Sequence, residues 1–119
     1  MTLQEAELKP IDELVQVMIE RAASDLHLKA GSPPCIRVDG ELCLLDGPAL
    51  TPEDTKEYAA AIMSDRQIRR FAEQSEIDFA FSAGSGRGRF RVNVYRQRGS
   101  ISIAMRRVAT EIPSFEELH

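Results

Sequence analysis

The stretch RFRVNVYRQRGSISIAMRR, from Arg89 to Arg107, constrains this chain more tightly than any other. Phe90, Val92 and Val94 alternate with Arg89, Arg91 and Asn93, while Ile101, Ile103 and Met105 alternate with Ser102, Ala104 and Arg106. A period of two in both halves describes two strands, each with one face on a core and the other face polar. A turn centred on Arg98-Gly99 pairs Val92 with Met105 and Val94 with Ile103 on the core side, and sets Arg91 opposite Arg106 on the polar side. Opposed side chains have Cβ atoms roughly 4.5 to 5.5 Å apart, a separation at which like charges repel. A slip of two residues leaves both arginines on one face, so their shared face is better determined than their exact pairing. Two guanidiniums so placed call for a shared anion, and the expectation is that neither has a carboxylate partner of its own.

Charge distribution narrows which anion. The chain has 119 residues, is 43% apolar and carries a formal charge of −4, enough for one domain with a modest core. Residues 87–107 hold seven of the fifteen cations and no Asp or Glu, which leaves −11 on the rest. The basic character is local, so a polyanion-binding surface is not expected. An RNA-binding sheet also needs outward aromatic residues, whereas Phe90 faces the core and Tyr95 stands alone. Arginine in place of lysine favours an anion that accepts a planar fork, and phosphate is the natural one. The plainer alternative is that carboxylates such as Glu76 or Asp78 on the preceding strand take up the arginines. For Arg87, Arg96 and Arg98, near turns, such bridges or simple solvation are expected.

The chain offers no nucleotide site of its own. A phosphate loop needs Gly-Lys at a helix N-terminus, and no Gly-Lys dipeptide occurs. Gly84-Ser85-Gly86-Arg87-Gly88 is glycine-rich but lies between strands and reads as a turn. His27 and the terminal His119 belong to no Ser-His-acid set, and no hydrolytic chemistry is expected. Cys35 and Cys43 lack the spacing of a zinc site and the density of a disulfide scaffold, so both read as reduced packing residues. Apolar runs are too short to span a membrane, and a cytoplasmic setting is expected.

The remaining segments give the order of elements. Ile11, Leu14, Val15, Met18, Ile19 and Ala22 follow helical spacing behind Pro10. Asp25 to Ala30 alternates as a strand, Gly31-Ser32-Pro33-Pro34 is a loop, and Asp39-Gly40 turns a hairpin between Cys35–Val38 and Glu41–Leu45. Thr51-Pro52-Glu53-Asp54 starts a helix through about Met63. Ser64-Asp65-Arg66-Gln67 caps a second helix with Ile68, Phe71 and Ala72 as its stripe. Ile77 to Phe81 is a strand. The sum is an α+β domain, a mostly antiparallel sheet of about six strands with about three helices. Residues 1–9 are expected to fray, 10–110 to form the domain, and 111–119 to begin a linker.

Ala23-Ser24-Asp25-Leu26-His27-Leu28, Gly31-Ser32-Pro33-Pro34-Cys35-Ile36-Arg37-Val38-Asp39-Gly40, Ile77-Asp78-Phe79-Ala80-Phe81, Arg89-Phe90-Arg91-Val92-Asn93, Gln97-Arg98-Gly99 and Ile112-Pro113-Ser114-Phe115-Glu116-Glu117-Leu118 together resemble the N-terminal domain of the PilT family. These are type IV pilus retraction ATPases of the secretion ATPase superfamily, with PilU a near paralogue, and the likeness runs from about residue 10 to 118. It implies a PAS-like domain, followed in a full-length parent by a RecA-like domain that binds ATP and Mg and carries the Walker motifs. It implies a homohexamer at the pilus inner-membrane machinery, in which N-terminal arginines reach the ATP phosphates. Arg91 and Arg106 match those arginines in position, and Arg89 and Arg107 are weaker candidates. Rival readings are a small-ligand-sensing module, a subunit-interaction module and, less favoured, a weak RNA-binding domain.

Overall fold

Residues 9–83 and 88–108 are described by a computed structural model and form three helices and six strands. The expected fraying up to residue 8, the Gly84-Ser85-Gly86 turn with Arg87 and the expected linker at 111–119 lie outside the described residues. Helix α1 (Ile11–Glu20) buries Leu14, Val15 and Met18 and places Asp12 and Glu13 in its first turn, where the helix dipole favours negative charge. It ends earlier than the apolar spacing predicts. The amide of Ala22 donates to the carbonyl of Ile19 at 3.2 Å and that of Ala23 to Met18 at 2.8 Å, the double bond of a Schellman cap. That cap needs a left-handed residue, and Ala22 supplies it at φ 55° and stands exposed, outside the stripe it was expected to join. Alanine is strained there where glycine is not. Ala22→Gly is therefore expected to raise stability by about 0.5–1 kcal/mol, read as a higher urea midpoint at unchanged slope.

Strand β1 (Asp25–Leu28) stops two residues short of the expected Ala30, because the chain leaves the sheet to pair with a later loop. The amide of Gly31 donates to Leu50 at 2.7 Å and that of Leu50 to Ser32 at 2.9 Å. Strands β2 (Cys35–Val38) and β3 (Glu41–Leu44) join through Asp39 and Gly40 at φ 54° and 82°, as a type I′ hairpin requires. Cys35 opposes Leu44 and Cys43 opposes Ile36, so the two cysteines face opposite sides of the hairpin and are free thiols.

Helix α2 (Pro52–Ile62) opens on the expected cap at Thr51, which the structure extends to a capping box with Asp54, and buries Thr55, Tyr58, Ala59 and Ile62. The Tyr58 hydroxyl donates to the Lys9 carbonyl, and burial pushes its pKa up to about 12. Helix α3 (Asp65–Gln74) also begins with a capping box, Ser64 with Gln67, but buries only Phe71. Ile68 and Ala72, expected beside Phe71 in its stripe, are exposed because α3 lies over the sheet margin at β4 and not over its centre. The guanidinium of Arg96 covers the Phe71 ring at 4.8 Å from its centroid.

Strands β4 (Glu76–Ser82), β5 (Arg89–Gln97) and β6 (Ser100–Val108) complete one sheet in the order β3-β2-β1-β6-β5-β4, every pairing antiparallel. Leu26, Leu28, Ile36, Phe90, Val92, Val94, Ile103 and Met105 project from it into a core shared with Leu14, Val15, Met18 and Ala59 of the helices. All the strand residues in that set belong to one face by register, so the helices cover one side and leave the other open. This is the α+β, PAS-like arrangement expected. Among the described residues no helix is long and apolar enough to cross a membrane.

Candidate functional site: a charged row on the open sheet face

Arg98 at φ 55° and Gly99 at φ 83° form the β5–β6 turn, which fixes the register of the longest hairpin. Arg91 opposes Arg106, Val92 opposes Met105 and Val94 opposes Ile103, as the alternation requires. Both arginines are exposed on the open face. Arg89 opposes Val108 one step along and shares that face. Arg107 opposes Phe90 and is half-buried on the helix-covered side, so the fold does not bring it to the pair.

Strand β1 runs beside β6 and sets Asp25 directly against Arg106; β2 sets Arg37 against Asp25. Across four strands the open face thus carries Arg37, Asp25, Arg106 and Arg91 in one row. Here the expectation that neither arginine has a carboxylate partner fails for one of them. Arg106 Nε donates to Asp25 Oδ2 at 3.4 Å, an ion pair in which the Asp25 side chain is 13% exposed and that of Arg106 is 74% exposed. The partner lies 81 residues away along the chain, and the β1–β6 pairing puts it there. Arg91 meets no ionic or hydrogen-bonding partner among the described residues.

The carboxylates of β4, read as possible partners for the arginines, are engaged elsewhere. Asn93 Nδ2 donates to Glu76 Oε2 and to Asp78 Oδ1, each at 3.1 Å, and so draws both side chains toward itself. The Arg91–Arg106 pair keeps a positive balance, and among the described residues the terminal nitrogens of both guanidiniums meet no partner. Arginine forks bind phosphate or carboxylate through two parallel hydrogen bonds, and the open face gives such a group direct access. No three His, Cys, Asp or Glu side chains among the described residues gather as a metal site, so those residues offer Mg2+ no cage.

His27 sits on the same face, between Cys35 of β2 and Ala104 of β6. Burial holds its pKa below the ordinary 6.5; Asp25 pulls it up, and Lys29, Arg37 and Arg106 push it down further. The folded domain takes up that proton only at lower pH than the unfolded chain does. Stability from this group is accordingly complete above pH 6.5 and declines as pH falls through the folded-state value. Urea midpoints measured on either side of that pH are expected to show the decline, and His27→Gln to flatten it.

This two-layer domain carries an arginine pair on the bare side of its sheet. No profile of a known protein family matches the chain. Relatives do. Over 107 residues the chain is 41% identical to the type IV pilus ATPase PilU of Pseudomonas aeruginosa, covering 90% of this chain and 28% of that protein. It is 38% identical over 108 residues to the pilus retraction ATPase PilT of the same organism, covering 91% of this chain and 31% of that one. The crystal structure of the pilus retraction motor PilT with bound ADP superposes with a TM-score of 0.81 at 44% identity, over 92% of this chain and 32% of that one. In sequence and fold this chain is the counterpart of the N-terminal region of the PilT and PilU motor ATPases. It spans about three-tenths of the length of those relatives.

Proposed function

We propose that this domain works within a cytoplasmic, hexameric pilus retraction motor, docked at the inner-membrane pilus machinery. Arg91 and Arg106 reach the terminal phosphates of an ATP molecule held, with its Mg2+, by the RecA-like domain of the same subunit or its neighbour. Phosphate charge neutralises the opposed guanidiniums and draws the domain closed over the nucleotide. Hydrolysis and release remove that charge, the domain swings back, and the rotation is transmitted to the pilus. The chain supplies charge and movement, and the bond-breaking groups belong to the partner domain. The observation that carries the reading is the direct opposition of Arg91 and Arg106 on the open face.

Each charge-assisted contact contributes about 1.5–3 kcal/mol, so one suffices to shift an open-to-closed ratio by about tenfold or more. Fluorophores on the two domains of the full-length motor test this. A non-hydrolysable ATP analogue is expected to raise energy transfer in the wild type and to leave Arg91→Ala and Arg106→Ala unmoved. An equal rise in all three would reject the role of the pair.

A subunit-interaction role gains support from Leu42 and Leu44, which stand 57% and 64% exposed on the open face of edge strand β3. On that reading, Leu42→Ser with Leu44→Ser weakens assembly equally with and without nucleotide, as sedimentation would report.

A further inference from the structure

The fold adds to the arginine pair a residue that its own hairpin does not contain. We infer that Asp25 is a positioning residue for Arg106: it holds the guanidinium by Nε and leaves both terminal nitrogens for the phosphate. This inference rests on the proposed role of the pair and deepens it.

Three observations carry it. First, the contact is one-sided. Among the described residues Asp25 Oδ2 receives only Nε of Arg106, at 3.4 Å, and the arginine side chain stays 74% exposed. A closed bidentate ion pair would have consumed the fork; a single contact at Nε fixes the side chain behind it. Second, the carboxylate is itself anchored. Its side chain is 13% exposed, its other oxygen Oδ1 accepts from Ser24 Oγ at 2.6 Å, and its backbone is clamped between β2 and β6. Third, the competing cation makes no ion pair with Asp25 among the described residues. Arg37 opposes Asp25 from the other side, but its Nη1 donates to the Gly40 carbonyl of its own hairpin at 2.9 Å. Asp25 is thereby left to serve Arg106.

The physical gain is preorganisation. An unrestrained arginine beside Arg91 and Arg37 would be pushed away by both and would have to be ordered each time phosphate arrives. A fixed carboxylate offsets that repulsion and removes part of the ordering cost, as groups behind a metal ligand do. Asp25 touches neither nucleotide nor reacting atoms, and every effect it has passes through Arg106.

The test is a double-mutant cycle in the full-length motor, read as kcat and KM for ATP, with thermal melting and hexamer assembly followed alongside. Asp25→Asn is expected to lower kcat/KM by about tenfold. Asp25→Glu, which keeps a carboxylate, should restore part of the loss, and Ser24→Ala, which removes only the anchor on Oδ1, should produce a smaller drop. In an Arg106→Ala background Asp25→Asn should change nothing further. Should Asp25→Asn fail to assemble, Ser24→Ala and Asp25→Glu carry the same cycle. An equal loss from the Asp25 variants with and without Arg106, or no loss at all, overturns the inference while the arginine role stands. If Arg91→Ala and Arg106→Ala leave turnover intact, the underlying reading falls and this inference falls with it.

Discussion

Replacing Arg91 and Arg106 together with alanine in the full-length motor is expected to lower ATP turnover by about two to four orders of magnitude, because two charge-assisted contacts of about 1.5–3 kcal/mol each are lost. The hexamer should persist. Both side chains are exposed and contribute nothing to the core, and removing two opposed like charges relieves repulsion within the sheet. Lysine at both positions should recover only part of the activity, since an ammonium supplies charge without the planar fork. The cycle of single and double variants checks whether the two act as one clamp: if they do, the second substitution costs less than the first. Turnover measured at saturating ATP, with assembly confirmed in the same samples, decides the matter.

The largest effect on stability is expected at Phe90. It is fully buried between β4 and β6, opposing Phe81 on one side and Arg107 on the other, and it lies between the outward-facing Arg89 and Arg91. Phe90→Ala removes most of an aromatic side chain and leaves a cavity, at a cost of about 3–5 kcal/mol. Against a total of about 5–15 kcal/mol for a domain, that loss leaves a substantial unfolded fraction in mild urea. Chemical denaturation of this chain would show a much lower midpoint. Phe90→Leu, which refills part of the volume, should recover roughly half of the difference.

The hairpin from Arg89 to Val108 was legible because three independent signals agree there: alternation on both strands, a turn residue able to adopt positive φ, and a match of large apolar residues across the register. Asp39-Gly40, the helix cap at Thr51 and the capping box at Ser64 were legible for the same reason, since each is a local device encoded by adjacent residues. What escaped was non-local. Nothing between Asp25 and Arg106 announces that β1 will lie against β6, so the carboxylate beside the arginine pair could not be found by reading either segment alone. Alternation did place Asp25 on the polar side of its strand, and that was the available clue. The end of α1 escaped for a different reason: apolar spacing continues through Ala22, but a left-handed alanine stops the helix without the glycine that usually marks such a stop. Ile68 and Ala72 were misplaced because helical spacing reports which residues share a stripe, and cannot report how little sheet lies beneath it.

Affinity for ATP against affinity for ADP, measured in the same full-length hexamers by displacement of a fluorescent nucleotide, addresses the central claim most directly. If the arginine pair grips the terminal phosphate, Arg91→Ala with Arg106→Ala weakens ATP binding by about a hundredfold or more and leaves ADP binding unchanged. Equal weakening of both nucleotides, or of neither, would contradict the account.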